Sequence, residues 1–105
     1  LRKPEFAQVL RNGKRLRGKA ATLLVRPNQV QYPRLGMIVP KRAFARAVDR
    51  NKIKRIIREW FRTNQLRLVG RDWIVQLGIE GKMPTVLDRG RLQVELDRLT
   101  PESMP

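Results

Sequence analysis

Arg50, Asn51, Lys52, Lys54, Arg55, Arg58 and Arg62 crowd into one short stretch of this 105-residue chain. Their common chemistry is the recognition of phosphate. A guanidinium is planar, donates paired hydrogen bonds and keeps its charge at any physiological pH. The Asn51 amide donates to phosphate or sugar oxygens and accepts from bases. In a helix turning about 100° per residue, Asn51, Lys54, Arg55, Arg58 and Arg62 gather on one side, with Arg50 and Lys52 flanking them. The other side carries Ile53, Ile56, Ile57, Trp60 and Phe61 at i, i+3, i+4, i+7 and i+8, the stripe that a core-facing helix needs. One helix therefore offers a core face and a cationic face. An ordinary solvated face mixes signs, whereas here only Glu59 interrupts.

No other constellation supports chemistry by the protein itself. The chain has no His and no Cys, which removes imidazole and thiolate nucleophiles and zinc ligands. Its carboxylates are few and scattered. Asp49 and Glu59 stand ten residues apart in sequence, about 15 Å along a helix axis, too far to share a metal pair. Asp72 is remote from both. We expect no catalytic residue and no metal site in the protein.

The charge balance points the same way. Lys and Arg number 24 against 9 Asp and Glu, a net charge of +15. That is well beyond the ~2–8 that favours solubility in a small domain. Such an excess repels itself in the compact state, and a polyanion relieves it. Hydrophobic residues make up 41% of the chain, enough for one packed domain spanning 1–105. No apolar run approaches the ~20 residues of a membrane span, and the composition without cysteine fits a reducing, cytoplasmic setting. A DNA-reading helix-turn-helix is disfavoured because no short helix precedes the central one. A ribosomal protein or a general RNA chaperone shares the charge and remains the alternative. The sequence carries no signal for an oligomeric state.

The elements that must position the cationic helix follow from local patterns. Pro4 to Leu10 reads as a short helix with Phe6, Val9 and Leu10 on one face, stopped at Asn12-Gly13. Arg15–Lys19, short and very basic, and Ala20–Arg26 read as strands, followed by a turn at Pro27-Asn28. Arg34–Pro40 reads as a third, mostly buried strand that Pro40 closes. The helical period runs from about Arg46 to Gln65, with Asp49 or the preceding turn as its cap. Asp72–Gly78 is a fourth strand, Gly78–Pro84 a loop and Leu87–Leu99 a last helix ended by Thr100-Pro101. Residues 100–105 read as a loose tail. The fold class is α+β: helices on a small mixed sheet of about four strands, in the order α-β-β-β-α-β-α, with a crossover through the central helix. Trp60, Phe61 and Trp73 are expected in its core.

The stretch Ala47-Val48-Asp49-Arg50-Asn51-Lys52-Ile53-Lys54-Arg55-Ile56-Ile57-Arg58-Glu59 resembles the signature of the bacterial ribonuclease P protein family. Its centre differs from that family's Arg-Asn-Arg-Ile-Lys-Arg only in Lys52. Phe6-Ala7-Gln8-Val9-Leu10, Arg11-Asn12-Gly13-Lys14-Arg15, Arg34-Leu35-Gly36-Met37-Ile38-Val39-Pro40-Lys41 and Asp72-Trp73-Ile74-Val75 follow the family in order. The likeness covers roughly residues 2 to 99 and is weakest after Gly78.

The resemblance implies an α+β sandwich with a left-handed crossover around the central helix. It implies a protein subunit that binds a catalytic RNA through Arg50, Asn51, Lys52, Lys54, Arg55, Arg58 and Arg62. In that family the RNA performs magnesium-dependent hydrolysis, with magnesium held mainly by RNA and substrate. A cleft between the sheet and the central helix takes the single-stranded 5′ leader of precursor tRNA. That role carries over to Phe6, Leu10, Leu24 and Lys41. Leu10 and Leu24 stand where many members have aromatics, and Pro40 where a small polar residue is common. Stacking contributes about 1–3 kcal/mol per base, so leader binding here is expected to lean more on charge.

Overall fold

Alternating apolar residues in the strands and the 3.6-residue period of the central helix converge on one face of a single sheet. The computed structural model describes residues 2–18, 21–41, 44–77 and 89–100. The expected loop at Gly78–Pro84, the first residues of the expected last helix and the tail beyond Thr100 lie outside the described residues. The elements are α1 (Lys3–Asn12), β1 (Lys14–Arg17), β2 (Ala21–Pro27), β3 (Arg34–Ile38), α2 (Ala47–Thr63), α3 (Gln65–Leu68), β4 (Arg71–Leu77) and α4 (Arg89–Leu99). The four strands form one mixed sheet in the order β1-β2-β4-β3. β1 and β2 are antiparallel, as are β2 and β4, while β3 runs parallel to β4 and reaches it through α2.

Every second residue of a strand faces the same side. On one side Leu23 and Val25 of β2 and Trp73, Val75 and Leu77 of β4 meet Ile53, Ile56, Ile57 and Trp60 of α2 and Leu92 and Leu96 of α4. Both tryptophans are buried with their indole N–H groups satisfied: Trp60 Nε1 donates to Asp97 Oδ1 at 2.9 Å and Trp73 Nε1 to the Leu68 carbonyl at 2.9 Å. Phe61 is half-buried against the same core. On the opposite side a smaller cluster forms under α1, from Val9, Leu24 and Ile74, with Phe6, Leu10 and Ile38 partly buried around it.

The structure refines three boundaries. The third strand ends at Ile38, before Pro40, which has no N–H to continue the ladder. The long helix ends at Thr63, because the Asn64 side chain donates to the Trp60 carbonyl at 2.8 Å and the chain leaves helical geometry there. The expected connector before the fourth strand instead contains the short helix α3. Gly70, at a φ of 84°, then makes the turn into β4. The cap of α2 also differs from expectation. Its N-cap, Arg46, makes no side-chain cap bond, and the carboxylate of Asp49 is taken by the Arg46 guanidinium at 2.9 and 3.1 Å.

Candidate nucleic-acid interface

Burial of Ile53, Ile56, Ile57 and Trp60 against the sheet fixes the rotation of α2, and the same rotation turns its cations outward. Asn51, Lys52, Arg55, Arg58 and Arg62 are exposed, and Lys54 is half-buried. Arg50 differs from the rest. Its Nη1 donates to the carbonyls of Phe44 and Ala45 at 2.8 and 2.9 Å, so this side chain also ties down the segment entering the helix. Asp49, at the start of the same face, is neutralised locally. The bidentate hydrogen bond from Arg46 holds its carboxyl below the usual carboxylate range, helped by the nearby charges of Arg46 and Lys52. The same bond raises the Arg46 pKa. The helix therefore presents a surface suited to a run of phosphates.

The second expected surface needs a correction. The space between the sheet and α2 is no cleft: the larger core fills it. Phe6, Leu10 and Leu24 lie on the other side of the sheet, around α1. Leu24 is 0% exposed, sandwiched between the sheet and α1, so it anchors the helix and offers no surface to a ligand. Phe6 and Leu10 are half-buried and Lys41 is exposed just past the end of β3. Phe6 lies over Gly36, where an added Cβ would come within 2.7 Å of Phe6 Cε2. The absent side chain is what lets the ring settle on the sheet.

Polar contacts hold one flank of α1. Arg34 donates through Nε and Nη2 to the two carboxylate oxygens of Asp72, at 2.7 and 2.9 Å. Its Nη1 reaches Glu5 of α1 at 3.4 Å. Asn28 adds a 2.9 Å bond to Asp72 and donates to the Tyr32 carbonyl, closing the loop between β2 and β3. The hydrogen bond to Asp72 raises the Arg34 pKa, outweighing desolvation. Asp72 is 4% exposed, and with Arg34 it forms a bonded ion pair rather than a lone buried charge. Sequence reading missed this network, because only the register Arg34↔Asp72 brings the two residues together.

Sequence reading also left Arg15 and Arg17 as an unassigned basic segment. Their pairing opposite Leu24 and Thr22 places both on the side of the sheet that carries α1. Among the described residues no group of three or more His, Cys, Asp or Glu could hold a metal ion, and no helix is long and apolar enough to cross a membrane.

Comparison with known proteins fits this geometry. The pattern of the family described as Ribonuclease P matches residues 1–99. A ribonuclease P protein component from Nitrosococcus oceani is 51% identical over 71 residues, 68% of this chain and 60% of that relative. One from Nitrosomonas europaea is 47% identical over 73 residues, 70% of this chain and 61% of the relative. The matched stretch thus spans about three fifths of these relatives' own length. The RNase P protein from Thermotoga maritima superposes with a TM-score of 0.82 at 29% identity, covering 100% of this chain and 99% of that one. The fold alone is shared with the Staphylococcus aureus RNase P protein, at a TM-score of 0.79, 24% identity and coverage of 94% and 88%. With its cationic α2, its α1-covered sheet and a family match along nearly its whole length, the chain belongs to the ribonuclease P protein family.

Proposed function

We propose that this chain is the protein subunit of a ribonuclease P holoenzyme, an endoribonuclease that removes the 5′ leader of precursor tRNA in the cytoplasm. The outer face of α2 binds the catalytic RNA through Asn51, Lys52, Lys54, Arg55, Arg58 and Arg62, with Arg50 at its edge. The surface around α1, with Phe6, Leu10 and Lys41, receives the single-stranded leader. Magnesium belongs to the RNA and the substrate, and the protein supplies no reacting group. Its contribution is to screen phosphates so that RNA, substrate and magnesium assemble at lower salt. The observation that carries this reading is the continuous exposed cationic face of α2, set by the burial of its isoleucine stripe.

Changing Arg55 and Arg58 together to Ala tests it. Affinity for the catalytic RNA should fall, and the slope of log K against log salt should flatten by about 0.7–0.9 per lost phosphate contact. An unchanged slope in a variant folded by circular dichroism would refute the assignment of α2. For the second surface, Phe6→Ala should weaken holoenzyme binding of precursor tRNA more than of mature tRNA. Equal losses would place Phe6 outside leader recognition.

A further inference from the structure

The sheet side that carries α1 continues past the helix, and its two flanks differ. The register reads as three rungs across the strands. Arg26, Asp72 and Arg34 form the first, and Arg15, Leu24, Ile74 and Gly36 the second. Arg17, Thr22, Gln76 and Ile38 form the third. Residues directly opposite in a sheet share a face, so both β1 arginines point to the α1 side. Phe6, Val9 and Leu10 cover the second rung. On the first, two carboxylates, those of Asp72 and Glu5, are engaged by Arg34 beside a pocket that Arg26 also lines, so that flank mixes both signs of charge. The third rung has no carboxylate at all. Ile38 and Gln76 are half-buried on it, and Arg17 is exposed, as is Arg15 one rung away. Among the described residues neither arginine makes a salt bridge, and the Gln76 amide makes no side-chain hydrogen bond.

We propose that the single-stranded leader received beside Phe6 crosses the sheet along the Ile38–Gln76–Thr22–Arg17 rung, and that Arg15 and Arg17 of edge strand β1 grip its phosphates farther from the cleavage site. The proposal rests on the reading of the α1 side as the leader surface. Its polarity follows from connectivity. The Phe44 N–H donates to the Pro40 carbonyl just past β3 and Arg50 of α2 donates to the Phe44 carbonyl, so the β3 end of the rung lies towards the helix proposed to bind the catalytic RNA, and β1 meets the nucleotides beyond. The rung offers what a single strand needs: an apolar contact at Ile38, a side-chain amide at Gln76 able to donate to and accept from base edges, and guanidinium groups for the backbone. From β3 to β1 is three strand spacings, about 14 Å. A stacked strand advances ~3.4 Å per nucleotide, so about four nucleotides separate Phe6 from the arginines, and fewer if the strand is stretched.

The competing explanation is that cations on an edge strand only prevent strand-to-strand aggregation. A leader-length series separates the two. Holoenzyme assembled from the full chain and the catalytic RNA is titrated with precursor tRNAs whose leaders shorten one nucleotide at a time. With Arg15→Gln/Arg17→Gln, affinity should fall for long leaders only, and the loss should vanish once the leader no longer reaches β1. For long leaders the salt slope should flatten by about 1.4, two single-strand phosphate contacts. Arg15→Lys/Arg17→Lys should restore it. Gln76→Ala should weaken leaders of intermediate length as well. An equal loss at every length, mature tRNA included, overturns the proposal. So does no loss at any length while Phe6→Ala still discriminates precursor from mature tRNA; aggregation of the glutamine variant in that case marks edge protection. A failure of Phe6→Ala to discriminate is a separate result that strikes the α1 reading, and a length-dependent loss at β1 beside it would keep the track and move its start.

Discussion

α2 and α1 pack on opposite sides of one sheet, and they are held in different ways. α2 spans 17 residues and buries four large side chains into a core that extends through β2, β4 and α4. α1 spans 10 residues, buries only Val9 fully, and adds a salt bridge through Glu5 to its shallow apolar contact. A deep apolar seat makes the first helix a rigid carrier of cations, suited to a fixed RNA surface. A shallow seat with half-buried Phe6 and Leu10 leaves apolar area at the rim, the surface proposed for the leader. The same sheet thus carries one deeply seated helix and one shallowly seated helix.

The sharpest way to break this contrast is to empty each seat. Trp60→Ala removes a buried indole and its bond to Asp97, and should cost about 3–5 kcal/mol in urea unfolding. Val9→Ala under α1 should cost only about 1.5 kcal/mol, two buried carbons' worth. Equal losses would mean that α1 is as deeply anchored as α2.

Next in size is the polar anchor. Arg34→Met leaves Asp72 buried with Asn28 as its one remaining side-chain partner among the described residues. The cost should be about 2–3 kcal/mol, below the ~3–5 of a fully buried pair because the Arg34 side chain is 26% exposed. Leader affinity should fall with it while catalytic-RNA affinity holds. A variant that loses both would tie the two sides together more tightly than the packing suggests.

Gly36→Ala sharpens the comparison from the other direction. The new methyl would press on Phe6 and come within 3.2 Å of Ile74 Cγ1. Overpacking of this kind costs about 1–3 kcal/mol. The Phe6 ring can swing, so we expect the low end in stability and a clearer loss in discrimination of precursor from mature tRNA.

The smallest effect belongs to Asp49. Its folded pKa is lowered, so its pairing with Arg46 contributes above the ordinary carboxylate pKa of 3.8 and is lost as pH falls through the lower folded value. The pair is exposed, and Asp49→Asn should leave thermal stability near neutral pH almost unchanged. A marked drop would give this turn a structural weight that its exposure does not suggest.

The chemistry of α2 was legible in the sequence because a helix maps sequence spacing directly onto faces. Ile53, Ile56, Ile57 and Trp60 declare the buried side, and Asn51, Arg55, Arg58 and Arg62 must then face outward whatever the helix packs on. β2, β3 and β4 were legible for a similar reason, since apolar runs bounded by Pro27-Asn28, Pro40 and Gly70 leave few other places for them, whereas the basic β1 is a strand through its pairing with β2. What the strands face was not legible. Period-two alternation assigns two sides but does not say which helix covers which: the resemblance implied a cleft between the sheet and α2, whereas the core fills that space and Phe6, Leu10 and Leu24 lie around α1. Leu24 was expected at a ligand and is sealed under that helix. The pairing of Arg34 with Asp72, and the alignment of Arg17 with Thr22, Gln76 and Ile38, depend on strand order and register. Those are set by long-range contacts across four strands, which no local window of the chain contains.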